Sequence, residues 1–188
     1  MKKIFKMPKR IKITSRTSSI TNAFVNGIIP CLPPSDAEVI EAIKILGMTE
    51  NKVVCAYCGD AYNQWDHLEP IVENQRPTGY ISEIYNLIPC CSICNSSKSG
   101  SNWLTWIRGN AEQNPKSRKI KNLENRITKI LEYEKWCKLK RTKLKFDKIV
   151  GEKLWNEHWK NHDMIIQNMK EFQVHSNILK EKIDKHIS

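Results

Sequence analysis

Two cysteine pairs, Cys55-x-x-Cys58 and Cys91-x-x-Cys94, put four thiolate donors at the spacing used by a tetrahedral Zn²⁺ site. One such pair is a weak signal; two of them in one short stretch are a strong one. The first pair lies in Cys-Ala-Tyr-Cys-Gly, a tight turn in which Gly59 relieves the backbone. Cys90 adjoins the second pair, so the register is open by one residue, although only Cys91 keeps the x-x spacing to Cys94. The rival reading is a redox-active dithiol, which needs a βαβ context that this stretch does not show. Cys31 and Cys137 are left over as ordinary thiols.

Between the pairs runs Trp65-Asp66-His67-Leu68-Glu69-Pro70. A lone histidine in a strand is usually a satisfied polar residue, but this one directly follows an aspartate and is bracketed by candidate metal ligands. In a regular strand the side chains of Asp66 and His67 leave opposite faces. They serve one site only if a bulge or strand end turns them together, or if a metal and its substrate lie on different sides of the strand.

The full pattern is Cys-x-x-Cys-Gly, then Asp-His-Leu-x-Pro, then Asn-Leu-Ile-Pro-x-Cys-x-x-Cys-Asn-x-x-Lys. It resembles the zinc-bearing branch of the HNH (ββα-metal) endonuclease family through Cys55, Cys58, Gly59, Asp66, His67, Leu68, Pro70, Asn86, Leu87, Ile88, Pro89, Cys91, Cys94, Asn95 and Lys98. About a quarter of the chain is covered, and residues 1–50 and 110–188 carry no resemblance. The resemblance implies a two-stranded hairpin followed by a helix around one divalent metal. It makes His67 the general base, Asp66 and Asn95 the ligands of the catalytic ion, and Asn86 the residue that holds the loop between the strands. Lys98 becomes a phosphate contact or transition-state stabiliser; outside the resemblance, Arg76 in the loop at 70–82 is a second DNA-binding candidate. Asn95 stands where many members have a second histidine, so the chain reads as an HNN variant.

The chemistry is consistent with those assignments. Phosphodiester hydrolysis needs a base for water and positive charge near the leaving oxygen. Oxygen donors such as Asp66 and Asn95 favour Mg²⁺ or Mn²⁺ over a soft metal, and a histidine titrating near neutrality supplies the base. The four thiolates suit structural Zn²⁺, which fixes hairpin to helix in a module too small to do so by burial alone.

The elements that must position these residues are legible in part. After Pro33 and Pro34, Ser35-Asp-Ala-Glu38 has capping-box spacing and opens a helix with Val39, Ile40, Ile43 and Leu46 on one face, ended by Gly47. From 51 to 100 come short β-prone pieces, Val53-Val54, Gln64–Leu68 and Ile84–Ile88, broken by glycine and proline, with an exposed loop at 70–82. A short helix from Cys91 to Lys98 stops near Gly100, and Ser101 or Asn102 caps another that holds Trp103, Leu104, Trp106 and Ile107. Beyond these the chain is helical: Ile120, Leu123, Ile127, Leu131 and Leu139, then Leu154, Trp155, Trp159, Ile166, Met169 and Phe172, recur near helical spacing. The tryptophans at 103, 106, 136, 155 and 159 read as core rather than base-stacking platforms. The expected architecture is α+β: a basic N-terminal arm plus helix (1–50), a small ββα-metal module with structural zinc (51–109), and a basic helical C-terminal region (110–188). Residues 1–32 read as an arm that orders against DNA or the core.

Charge points to the partner. The net charge is +11 with a pI near 9.3, which calls for a polyanion. Residues 1–16 carry +7 and residues 116–153 carry +9, while residues 50–100 carry −3. A slightly acidic centre between basic arms suits a cation site fed by phosphate-binding surfaces. No run of about 18 apolar residues and no secretory h-region is present, which predicts no membrane partner, a cytoplasmic location and reduced thiols. The expected activity is metal-dependent cleavage of double-stranded DNA, best fitted by a type II restriction endonuclease acting as a homodimer. A homing or phage-encoded nuclease and a non-catalytic zinc module that binds nucleic acid are the alternatives.

Overall fold

The computed structural model describes residues 8–187. In chain order the elements are a 3₁₀ turn (Ile13–Arg16), α1 (Thr17–Asn26), α2 (Asp36–Ile45), β1 (Gln64–His67), β2 (Val72–Glu73), β3 (Arg76–Pro77), β4 (Leu87–Cys90), α3 (Ser92–Lys98), α4 (Trp103–Arg108), α5 (Leu123–Lys138), α6 (Phe146–Val150) and α7 (Glu152–Ile187). The fold is mixed α+β, mostly helix with two small two-stranded sheets. It falls into two compact units, residues 28–145 and the flanking segments up to Gly27 and from Phe146 onward.

Within 28–145, β1 and β4 pair antiparallel with Asp66 opposite Ile88 and His67 opposite Leu87. Helix α3 follows β4 with one residue between them, giving a strand, long loop, strand, helix order. The loop carries the β2–β3 hairpin, whose turn residues Asn74 and Gln75 both have positive φ (49° and 63°), the conformation that suits the twist of a two-residue hairpin. Val53 and Val54, expected as a strand piece, lie in irregular chain, and the pairing expected from Ile84 begins only at Leu87. Two β-branched residues without a paired neighbour do not make a strand.

The capping box at Ser35 is formed, with Ser35 N donating to Glu38 Oε2 (2.7 Å) and Glu38 N to Ser35 Oγ (3.4 Å). Gly47 leaves α2 at φ +69°, as a left-handed helix stop requires. Asn102 caps α4 by accepting from Leu104 N and Thr105 N. Helix α5 buries Ile127, Ile130, Tyr133 and Cys137 along one stripe, against a core that also holds Leu46, Tyr57, Leu68, Ile88, Trp103, Trp106 and Ile107. That shared core is why this unit runs from 28 to 145 instead of dividing near 50 and 109, since α2 and α5 pack where the cysteine module does.

In the other unit, α1 buries Thr21 and Val25, and α7 buries Trp159, His162, Ile166 and Met169 at helical spacing. Residues 17–26, expected as part of an arm that orders against DNA or the core, are helical. Their Ser/Thr-rich composition has weak intrinsic preference for helix, and packing supplies what propensity lacks. His162 Nε2 lies 3.0 Å from Thr21 Oγ1. No described helix is long and apolar enough to cross a membrane.

Candidate functional site

The sulfurs of Cys55, Cys58, Cys91 and Cys94 all lie within 4.8 Å of one another, and all four residues are buried. Cys55 and Cys58 sit in the turn before β1, closed by Gly59 N donating to Cys55 O (2.8 Å) with Gly59 at φ +86°. Cys91 is the N-cap residue of α3, and Cys94 is in its first turn. Zinc–thiolate bonds of about 2.3 Å in a tetrahedron put sulfurs roughly 3.8 Å apart, and Cys58 Sγ is 3.6 Å from Cys91 Sγ. The set therefore has the donors, proximity and burial to hold a metal ion such as zinc. Cys90 turns away into the core opposite Gln64, so the ligand register falls on Cys91.

Two of the four thiols, Cys55 and Cys94, are driven in opposite directions by their crowding. Hydrogen bonds from Cys58 and Cys94 hold the Cys55 thiol well below its ordinary range, while bonding to Cys55 and Cys58 pushes Cys94 far up. Crowded thiols cannot all ionise without compensating charge. Arg118 supplies some: its Nη1 donates to Cys94 Sγ at 3.6 Å while its Nη2 pairs with Asp60 at 2.9 Å.

Asp66 and His67 leave β1 toward different partners. The Asp66 carboxylate is buried, with Oδ2 accepting from the Tyr57 hydroxyl (2.6 Å) and Oδ1 from Lys98 Nζ (3.1 Å). Burial raises its pKa, opposed by the Lys98 charge and the Tyr57 hydrogen bond. Burial and the Asp66 charge in turn keep Tyr57 protonated. Lys98, expected at a phosphate, is 1% exposed. Its ammonium also donates to the His67 carbonyl (2.9 Å), so it fastens β1 to α3.

His67 is half-buried at the end of β1, with Nε2 2.8 Å from Ser82 Oγ. Burial, and then the Lys98 charge, lower its pKa to about 4 instead of the value near neutrality expected from the sequence, so the ring is neutral at physiological pH. Asn86 is fully buried and clamps the loop between the strands: Oδ1 accepts from Glu69 N (2.9 Å), and Nδ2 donates to Glu69 O (3.1 Å) and Ile81 O (3.2 Å). Its carbonyl accepts from Leu68 N (2.8 Å), one residue past His67. Asn95, on α3, donates to Gln64 Oε1 at 2.8 Å. Arg76 sits on the hairpin with Nη1 donating to Gln75 O (3.0 Å).

An Asp66–Asn95 pair offers the oxygen chemistry that a hard cation prefers. The arrangement does not fit one, because both Asp66 oxygens are engaged and a buried ammonium already supplies the positive charge. Tyr57, Ser82 and Arg118 are the site residues that sequence reasoning missed. Tyr57 is one of the two residues between Cys55 and Cys58, whose type the cysteine spacing leaves open, and Ser82 and Arg118 reach the site from segments with no motif of their own. Comparison with family models, curated proteins and solved structures found no match.

Proposed function

We propose that this chain is an endonuclease of the HNH type that hydrolyses DNA phosphodiesters, with His67 as the general base and a structural Zn²⁺ held by Cys55, Cys58, Cys91 and Cys94. The observation that carries the reading is the order of parts: a paired strand ending in His67, a loop clamped by Asn86, a return strand, and a helix that the cysteine cluster joins to the turn before the first strand. The resemblance implied that order from motifs alone. The neutral His67 ring presents Nε2 to an oxygen at 2.8 Å, now that of Ser82, which is the reach required of a base toward an attacking water. The Lys98 bond to the His67 carbonyl and the Asn86 bonds on either side of Glu69 fix the backbone that aims the ring. A thiolate-bound Zn²⁺ supplies folding energy to this module when bound.

The expected Mg²⁺ or Mn²⁺ gains no open place at Asp66, and no step is assigned to it. That same engagement of Asp66 by Tyr57 and Lys98 favours a second reading, a zinc module that binds nucleic acid without cutting it. Double-stranded DNA is the proposed ligand in both readings. A type II restriction enzyme acting as a homodimer is the form that best suits the basic flanks, with a homing or phage-encoded nuclease next.

Incubating plasmid DNA with the full chain, with and without Mg²⁺ or Mn²⁺, tests the choice. Cleavage in the wild type that is lost in His67→Ala, with zinc content and DNA affinity retained, is the expected result. Wild-type cleavage that persists in His67→Ala would remove His67 from the chemistry. DNA left whole by the wild type under every ion would install the non-catalytic reading. Fragment ends from short palindromic sites would select restriction over homing.

A further inference from the structure

On the unit of residues 28–145, a cavity of about 390 Å³ opens between the end of α2, the irregular chain at 47–56 and the first turns of α5. Three cations line it, Lys52, Arg126 and Lys129, with Thr49, Asn122 and Asn125 as neutral polar neighbours, and no carboxylate is among its lining residues. Lys129 pairs with Glu132 (2.8 Å) outside the lining, and Glu124, in the first turn of α5, pairs with Arg108. Among the described residues the Arg126 side chain has no hydrogen-bond or ion-pair partner, and its Nε is sealed from solvent.

Three cations on the wall of one opening with no carboxylate among them repel one another, and an anion seated between them offsets that repulsion. The place of Arg126 is itself specified. Its guanidinium lies against Gly59, the residue just past Cys58, where any Cβ would stand 2.1 Å from Nη2.

We infer that the cavity lined by Lys52, Arg126 and Lys129 binds a phosphate group, borne by a nucleic-acid backbone or by a free nucleotide. A planar guanidinium and two ammonium groups are the set that recognises phosphate, the one by its fixed fork and the others as point charges. The volume exceeds a lone phosphate and leaves room for the attached sugar. The site is separate from His67 and takes from the proposed function only its polyanionic ligand.

The test uses the full-length, zinc-loaded chain and the double variant Lys52→Ala/Lys129→Ala, which leaves Arg126 and its seat on Gly59 in place. Binding to a short duplex is followed by fluorescence anisotropy between about 50 and 200 mM salt, and inorganic phosphate and a nucleoside monophosphate are titrated calorimetrically. If the backbone is the ligand, the variant binds duplex about tenfold more weakly, and the slope of log K against log salt is shallower by about one, the loss of one phosphate contact. If the source is free, saturable binding of phosphate or the monophosphate disappears while the duplex is unaffected. Unchanged affinity for all three probes overturns the inference. Arg126→Ala adds a second check: it weakens the same probe with zinc content intact, whereas loss of zinc at undiminished anion affinity would make Arg126 a companion of the cluster and sink the proposal. DNA bound in this way but never cut would refute the nuclease reading alone, and DNA cut with an unaltered salt slope would refute this one alone.

Discussion

Strands of two to four residues and helices of six or seven carry the cysteine cluster in the unit of residues 28–145, backed by the longer α2 and α5, whereas the other unit is organised on a single helix of 36 residues. The first adds to its buried core a set of point contacts: four thiols within 4.8 Å, the Tyr57–Asp66–Lys98 contacts, the three side-chain bonds of Asn86. The second is held by a repeated stripe, Trp159, His162, Ile166 and Met169 on α7, with Thr21 and Val25 buried on α1. Pinning at points lets irregular chain carry polar chemistry in fixed positions. Burial along a stripe spreads stability over many contacts and fixes no particular side chain. The candidate chemistry lies wholly in the pinned unit, where precise placement of few groups is available.

The strongest way to break this contrast is to remove the pin. Cys94→Ser, or chelation of zinc, is expected to unfold the module around β1, β4 and α3 while α7 keeps its helical signal. Structural zinc sites contribute on the order of 10–16 kcal/mol in small domains, more than such short elements replace by burial. Amide hydrogen exchange read residue by residue checks this: protection should vanish at residues 55–98 and survive on α7. Equal loss in both units would show that they do not differ in the way the contacts imply.

The converse experiment acts on the stripe. Ile166 is 7% exposed on α7, and Ile166→Ala is expected to cost about 2–5 kcal/mol through lost burial and the cavity left behind. The loss should appear in the thermal unfolding of the helical unit, with zinc stoichiometry unchanged. A fall in zinc content with this variant would mean that the distributed contacts also support the cluster.

The same contrast explains what could be read from the sequence. Cysteine spacing, the Ser35 capping box and the Gly47 stop are local signals, and each appears in the structure where its spacing placed it. Helix α1 was illegible because Ser18, Ser19, Thr21 and Asn22 favour turns, and only burial of Thr21 and Val25 makes the segment helical. The partners of Asp66 were illegible for a different reason. Tyr57 precedes it by nine residues and Lys98 follows it by 32, and no periodicity links those positions. Motif reading placed Asp66 at an open cation site and Lys98 at a phosphate, and only the three-dimensional contacts pair the two with each other.

The smallest expected effect refines the comparison inside the pinned unit, at the exposed capping box of α2. Glu38 has its pKa lowered from 4.5 to about 2, first by the hydrogen bond from the Tyr85 hydroxyl and then by those from Ser35. Tyr85 is raised to about 12, chiefly by the same bond to Glu38. A depressed carboxyl stabilises the fold above its unfolded pKa, and that contribution is lost as pH falls through the folded value. A raised phenol stabilises below its unfolded pKa and loses the contribution as pH rises through the folded one. The Glu38–Tyr85 contact is therefore fully present between about pH 4.5 and 10, fading toward about 2 on the acid side and about 12 on the alkaline side. Glu38→Gln removes the ionisable acceptor, so urea midpoints of the pinned unit should drop slightly at neutral pH and decline less between pH 4.5 and 2 than in the wild type. Helix α7 has no part in the contact and should titrate alike in both proteins. An acid limb of unchanged steepness in the variant would mean that Glu38 carries none of the pH dependence, and that pinning in this unit resides in the cluster and the buried polar bonds alone.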